Sequence, residues 1–435
     1  MRIRFYNARI LTLADDLSII ENGELITEDG RISYVGKAGL QNSSRAEKPY
    51  DREIDARGNL LMPGFKNCHT HSAMTFLRSN ADDMKLQDWL TKQVFPYEAR
   101  LTADDIYYCT CLAALEYLTS GITSVCEMYF YEDEIARAFK DIGIRAVIGG
   151  VLSDGNQDLE SQLNWYERYN EENSLISFRF GAHAEYTNSR SSLEKLSKVL
   201  HEKKASVYLH ISETESEVGE CIRRYGKTPP QFFDSLGLFD YGGAVFHGVH
   251  VTDEDIEVFR KKQVSVITNP ASNLKLASGI APINKYLEAG VNLGIGTDGP
   301  ASNNSLDMFK EMFLVTALAK IREMDASVVP ADEVLLMATK KGAHAIGHSA
   351  CDCLVPGKNA DLVMLDLSAP NMRPLTNIVK AIVYSGSKAN VLLTMVNGRI
   401  LYENGEFNIG LDREEIYSKA EKVLPRMKRE MEESK

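Results

Sequence analysis

The stretch GIGTDG, Gly294 to Gly299, decides the fold. Its glycines satisfy the dinucleotide-binding fingerprint G-x-G-x-x-G, yet it also presents an aspartate, Asp298, three positions after the run VNLGI ends. In a dinucleotide fold the third glycine already lies in the first turn of a helix, and an acidic residue follows about 20 positions later. Here Pro300 and then ASNNS come next, so a helix cannot begin before about Asn304, and no second βαβ half surrounds the motif. The nicotinamide or flavin reading fails on that context. The glycines are read instead as a tight turn that presents Asp298 at the end of a strand.

Working outward, seven further apolar runs share the style of VNLGIGTD (from Val291). They are LLMPGF from Leu60, GITSVCEM from Gly121, RAVIGGVL from Arg145, ISFRFGAH from Ile176, ASVYLHIS from Ala205, GAVFHGVH from Gly243 and QVSVITNP from Gln263. Amphipathic helical stretches such as DEIARAFKDIG (Asp133–Gly143) and TDEDIEVFRKKQ (Thr252–Gln263) separate them. Near-continuous apolar strands joined by helices are what a parallel sheet buried on both faces requires. Eight of them point to an α/β fold, a (β/α)8 TIM barrel over residues 58–355.

The chain ends differ in style. Residues 1–57 and 356–411 carry short alternating strands with D-G and N-G turns at Asp29-Gly30, Asn397-Gly398 and Asn404-Gly405. They are expected to form together one small antiparallel β-domain, a β-sandwich, beside the barrel. The charged segment 412–435 is expected to be a solvated helix interrupted at Pro425.

Composition bounds the function. A net charge of -12 with no basic block argues against nucleic acid or acidic membrane as a partner. No run of about 18 apolar residues exists, and MRIRFYNARILTLADD reads as a strand and not as a signal peptide. The seven cysteines include two C-x-C pairs, Cys109/Cys111 and Cys351/Cys353, without the spacing of a zinc knuckle. Reduced thiols in a cytoplasmic protein are expected. The sequence leaves open whether the chain forms a homo-oligomer.

Histidines then locate the chemistry. His69 and His71 (CHTH) follow the first expected barrel strand and share one face by strand alternation. His183 ends the fourth expected strand, His210 the fifth, His247 the sixth, and Asp298 the eighth. Catalytic groups of such barrels gather at the C-terminal ends of strands. Neutral imidazoles with one carboxylate suit Zn²⁺ or Fe²⁺ with a position left for water. His201, His250, His344 and His348 are read as structural or surface residues.

The segments PGFKNCHTHSAMTFLRS, HISETESEV, FHGVHVTDEDI, NPASNLKLASGIAPI and GIGTDGPASNNSLDMFKEM resemble the amidohydrolase superfamily. More narrowly, they are similar to its 5′-methylthioadenosine/S-adenosylhomocysteine deaminase and chlorohydrolase-like branch. The resemblance runs over nearly the whole chain. It implies one divalent metal per subunit, zinc or alternatively Fe²⁺, on His69, His71, His210 and Asp298. Two-metal relatives carry a bridging lysine after the fourth strand, where this chain has GAHAEY with His183. The resemblance further implies Glu213 as the proton-transferring glutamate and His247 as the histidine that orients the attacking water. Asp298 would accept the water proton. Glu98, in FPYEARLT, would hold ribose hydroxyls, His183 would contact the nucleoside, and Ser302 would line the pocket. The implied activity is hydrolytic deamination of an adenine nucleoside. The same fold also serves guanine, cytosine, pterin and chlorotriazine hydrolases, against which Glu98 speaks, because those rings carry no ribose diol. A non-catalytic scaffold is a third reading, opposed by the full set of expected ligands.

One departure concerns the amino-acid tail of S-adenosylhomocysteine. Alignment of RAVIGGVLSDGNQDLESQLNWY puts Gly149 and Asp158 where such deaminases carry arginines. Aspartate would repel a carboxylate, so adenosine, 5′-deoxyadenosine or 5′-methylthioadenosine is expected to be preferred.

Overall fold

The computed structural model describes residues 1–39, 49–80, 82–84, 88–155, 157–171 and 174–433. Eight parallel strands run in sequence order around a barrel: β6 (Phe65–Thr70), β7 (Ile122–Glu127), β8 (Arg145–Gly149), β9 (Ile176–Ala182), β10 (Val207–Ile211), β11 (Gly243–His247), β12 (Val264–Thr268) and β13 (Leu293–Ile295). Five strands precede them in the chain: β1 (Arg2–Leu11), β2 (Ile19–Glu28), β3 (Arg31–Lys37), β4 (Arg52–Asp55) and β5 (Leu60–Pro63). Four follow: β14 (Leu362–Leu365), β15 (Val391–Val396), β16 (Arg399–Glu403) and β17 (Glu406–Phe407).

The barrel closes where β13 meets β6. The Asp298 amide donates to the His69 carbonyl at 3.0 Å. Beside it the Thr297 amide donates to Asn67 Oδ1 at 2.8 Å, and Asn67 Nδ2 donates to Thr297 Oγ1 at 2.7 Å. The glycines of GIGTDG are explained by this seam, and not by a turn as expected. A Cβ on Gly296 would stand 2.8 Å from the His69 Cβ and amide nitrogen, and one on Gly294 would stand 2.7 Å from Ile267 Cδ1. Neither has a positive φ; it is Asp298 itself that does, at 57°. The glycines let β13 lie flush against the strand that carries His69.

The run LLMPGF is not one barrel strand. It splits at Gly64: Leu60–Pro63 is β5 and belongs to the sheet of the chain ends, whereas the first barrel strand begins at Phe65. The break is steric, since a Cβ on Gly64 would lie 2.1 Å from Thr123 Cγ2. The sheet of the ends runs β17-β16-β15-β14-β5-β1-β2-β3, with β4 also beside β1. It is mixed and not wholly antiparallel, because β1 runs parallel to β4 and β5. Its own apolar core contains Phe5, Ile10, Leu25, Leu61, Leu362 and Met395, so both ends contribute to one buried interior.

A buried ion pair ties this sheet to the barrel. Arg145, at the start of β8, donates from Nε to Asp361 Oδ2 at 2.8 Å and from Nη2 to Oδ1 at 3.2 Å. Asp361 Oδ1 also accepts the Asn397 amide at 2.8 Å. Removing one partner of a buried, hydrogen-bonded pair leaves the other charge uncompensated, at about 3–5 kcal/mol. Asp361→Ala is therefore expected to lower the thermal midpoint by several degrees, read by circular dichroism or calorimetry, whereas a midpoint within 1 °C (on the order of experimental scatter) would show the pair to be dispensable.

The C-terminal segment differs from expectation. A single helix, Arg413–Glu433, runs through Pro425 without a break. It is docked and not solvated: Ile416, Ala420, Val423 and Met427 are buried, and Tyr108 donates to Glu415 at 3.0 Å. Interior proline costs a helix about 3 kcal/mol, and the apolar contacts on both sides of Pro425 offset it. No helix among the described residues is long and apolar enough to cross a membrane. All seven cysteines are buried and unpaired.

Candidate active site

Three imidazoles meet inside the barrel mouth. His69 lies on β6, His71 just beyond its end, and His210 on β10, and their ligand-capable nitrogens fall within 4.8 Å of one another. His69 is completely buried, stacked on Phe246 with ring centroids 3.9 Å apart, and neither of its nitrogens has a hydrogen-bond partner. Burial holds its pKa down to about 3, so the ring is neutral. Burial lowers His71 as well, and lowers His210 well below the ordinary range.

The other nitrogens fix the tautomers. His71 Nδ1–H donates to the Met128 carbonyl, and His210 Nδ1–H donates to the His183 carbonyl at 2.7 Å. Each ring therefore keeps an Nε2 lone pair free, the arrangement that metal-binding histidines use.

Asp298 completes the cluster. Its Oδ1 lies 3.3 Å from His71 Nε2 and 3.6 Å from His69 Nε2. The Gly299 amide donates to Oδ1 at 2.7 Å, and the Ser302 hydroxyl donates to Oδ2 at 3.0 Å, as does that of Ser272. Burial would raise this carboxyl, but the adjoining imidazoles of His69 and His71 outweigh it and hold the group well below its ordinary range, as a carboxylate. Ligand atoms bonded at about 2.0–2.2 Å to one tetrahedral zinc sit roughly 3.3–3.6 Å apart. A buried imidazole with two unpartnered nitrogens, two neighbours with their lone pairs free and an ionised carboxylate at that separation from two of the three rings fit a divalent metal.

Beside the cluster, His247 ends β11 with a left-handed backbone at φ 74°. Its Nδ1–H donates to Asn273 Oδ1 at 2.8 Å, and its Nε2 lies 4.0 Å from Glu213 Oε2. Burial opposes its protonation, yet the facing carboxylates Glu213 and Asp298 raise its pKa overall. Glu213 sits on the turn after β10. Glu217 clasps that turn: its two carboxylate oxygens accept the amides of Ser212 and Glu213, each at 2.8 Å. Burial, with the charge of Glu213, pushes the Glu217 carboxyl up to about 7.

These groups open onto a cavity of about 340 Å³ that also touches Glu98, His183 and Ser302. Glu98 Oε1 accepts the Tyr129 hydroxyl at 2.6 Å, and burial raises the Glu98 carboxyl. Burial lowers His183 to about 4; its Nδ1 lies 3.2 Å from Thr187 Oγ1. All the residues singled out from the sequence as ligands, acid–base groups and substrate contacts, except the completely buried His69, border this one space. Gly149 and Asp158 do not. Gly149 is the last residue of β8, and Asp158 is an exposed helix cap whose Oδ1 accepts the Ser161 amide at 2.8 Å. The acid that borders the cavity from that loop is Asp154.

Sequence reasoning missed the supports: Asn273 behind His247, Ser272 behind Asp298, Tyr129 behind Glu98 and Glu217 behind Glu213. The first two lie in NPASNLK, whose helix Pro270–Lys275 opens directly after β12; a polar pair at the first turn after a barrel strand was the available signal. The four remaining histidines have partners away from the cluster, as in His201 with Asp240 at 2.9 Å and His344 with Asp352 at 2.7 Å. His250 Nε2 lies 2.6 Å from the Ser278 carbonyl, and His348 Nδ1 pairs with Ser124 Oγ.

The Amidohydrolase family model matches residues 60–401. This chain belongs to the amidohydrolase family. It is 37% identical over 430 residues to the 5-methylthioadenosine/S-adenosylhomocysteine deaminase of Caldanaerobacter subterraneus subsp. tengcongensis, covering 97% of this chain and 98% of the relative. It is 38% identical over 421 residues to the 5′-deoxyadenosine deaminase of Methanosarcina acetivorans, covering 95% of each. Among solved structures, an adenosine deaminase from Xanthomonas campestris with bound zinc superposes with a TM-score of 0.92 at 31% identity, over 98% of both chains.

Proposed function

We propose that this amidohydrolase deaminates adenine nucleosides hydrolytically, releasing ammonia and the corresponding inosine analogue. The observation that carries the reading is the meeting of His69, His71 and His210, with Asp298 against the first two, beside Glu213 and His247 at a cavity that Glu98 also borders. Its near full-length relatives named as deaminases of such nucleosides support it. The metal would be held by His69, His71, His210 and Asp298, with zinc favoured over iron by the zinc-bound relative. When bound, it supplies Lewis acidity that brings the pKa of a coordinated water to about 7.

The chain's own groups then move the protons. Asp298 accepts one proton from the attacking water as its oxygen bonds to C6 of the ring. Glu213 delivers its proton to N1, which removes the aromatic resistance at C6 and yields a tetrahedral carbon. His247, held by Asn273, stays on the attacking oxygen's side and stabilises its charge. The proton on Asp298 passes to the exocyclic amine, the C6–N bond breaks, and ammonia leaves. The hydroxyl proton returns to Glu213 as the C6 carbonyl forms. Glu98, held by Tyr129, takes the ribose diol, with His183 and Ser302 bordering the nucleoside.

The test is a coupled ammonia assay on metal-analysed protein with adenosine, 5′-deoxyadenosine, 5′-methylthioadenosine and S-adenosylhomocysteine, and with guanine and cytosine as controls. Ammonia from the nucleosides alone is expected. Release only from the free bases would replace the reading with base deamination, and neither metal nor ammonia would leave a scaffold. Glu98→Gln is expected to lower kcat/KM for nucleosides about 10- to 100-fold, mainly through KM, since a hydrogen bond to a charged group is worth about 1.5–3 kcal/mol. Unchanged nucleoside kinetics would remove Glu98 from the ribose.

A further inference from the structure

Resting on the adenine-nucleoside reading, we infer that Asp154 selects the substrate's 5′ arm by charge, favouring a cationic arm, accepting a neutral one and rejecting an anionic one. The wall of the cavity is unevenly built. Trp89, Leu90, Val94, Phe95, Val151 and Leu276 give it apolar surface, and apart from its histidines its ionisable groups include the carboxylates Glu98, Asp154, Glu213 and Asp298. Among the described residues, no lysine or arginine borders it. With the ring between Glu213 and Asp298 and the ribose at Glu98, the 5′ arm is assigned to the part of the wall that Ser153, the exposed Asp154 and Thr187 form.

Asp154 is exposed and firmly placed there. Its Oδ2 accepts the Ser189 amide at 2.8 Å, its Oδ1 accepts the Ser192 hydroxyl at 2.6 Å, and its own amide donates to the Thr187 carbonyl at 3.0 Å. The Ser192 and Ser189 bonds hold its carboxyl below the ordinary range, so the charge persists at working pH. Lys195 acts on Asp154 electrostatically from the helix Arg190–Lys203, but it does not border the cavity. The negative charge is therefore fixed and borders a space with no described lysine or arginine to neutralise an anionic arm.

S-Adenosylhomocysteine is a poor probe of this filter, because its arm ends in both an ammonium and a carboxylate. Three arms of matched length isolate the charge: 5′-propylthio-, 5′-(2-aminoethylthio)- and 5′-(carboxymethylthio)-5′-deoxyadenosine. At low salt, kcat/KM is expected to fall in the order amino, propyl, carboxyl, with about a 3- to 10-fold step at each change of charge. The spread should shrink as ionic strength rises toward about 0.5 M. Asp154→Asn keeps acceptor and donor capacity for Ser189 and Ser192 and is expected to collapse the amino-to-carboxyl ratio toward one. Asp158→Asn, at the exposed cap outside the cavity, is expected to leave that ratio as in the parent.

The outcomes separate cleanly. Turnover of all three analogues with a ratio that Asp154→Asn does not move overturns the filter and leaves the nucleoside reading standing. A preference for the carboxyl arm also overturns it. Failure to turn over even the propyl analogue, together with the natural nucleosides, overturns the reading on which it rests.

Discussion

Glu213→Gln is expected to lower kcat by about 10³-fold while the protein keeps its full complement of metal. General acid–base catalysis contributes about 10²–10⁴-fold, and Glu213 is the group that delivers the proton to N1 and takes back the hydroxyl proton. The amide matches the carboxyl in shape, so the turn that Glu217 clasps stays in place. Glu213 is also absent from the His69–His71–His210 cluster, so metal content should not follow activity. The check is a steady-state assay beside elemental analysis on the same preparation. A loss of metal parallel to the loss of rate would move Glu213 from proton transfer to ligand support, and a rate within threefold of the parent (roughly 0.6 kcal/mol) would remove it from the mechanism.

The larger effect is expected at Asp298. Asp298→Asn removes the proposed acceptor of the water proton and an anionic ligand together, so activity should fall by at least about 10⁴-fold and bound metal should fall with it. Electrostatics sharpen the expectation. Asp298 is held ionised against its burial by His69 and His71, and the Gly299 amide and the hydroxyls of Ser302 and Ser272 all donate to it. An asparagine must turn its amide nitrogen toward one of these donors, leaving a buried mismatch. Full activity with normal metal content would defeat the assignment, whereas normal metal content with lost activity would restrict Asp298 to the proton.

The two substitutions act on residues that were legible in the sequence for different reasons. Asp298 and the histidines of β6, β10 and β11 were visible because a parallel barrel brings strand ends together whatever their distance in the chain. Glu213 emerged from the HISE resemblance, since a carboxylate at the start of a helix is by itself ordinary. What periodicity could not show was where LLMPGF breaks. A continuous apolar run looks alike whether it serves one buried strand or two, and the steric conflict at Gly64 comes from Thr123, 59 positions away. Asp158 was placed at the substrate while Asp154 went unnoticed, for a related reason. They lie four apart in a connection without strand alternation, and only the placement of Ser161, Ser189 and Ser192 sends one to a helix cap and the other to the cavity. The terminal helix looked solvated because its charged residues outnumber the four that dock it.

The pairing of Leu61 with Met364 sets an order on the birth of this protein. At about 5–20 residues per second on the ribosome, β5 waits roughly 15–60 s for its neighbour β14 to emerge. During that interval β1 to β5 have each other but lack that neighbour, and an unpaired strand edge invites other chains. A cell making this enzyme at high rate should therefore lose it first to aggregation of nascent chains and not to unfolding of finished molecules, and slower translation should raise the soluble yield.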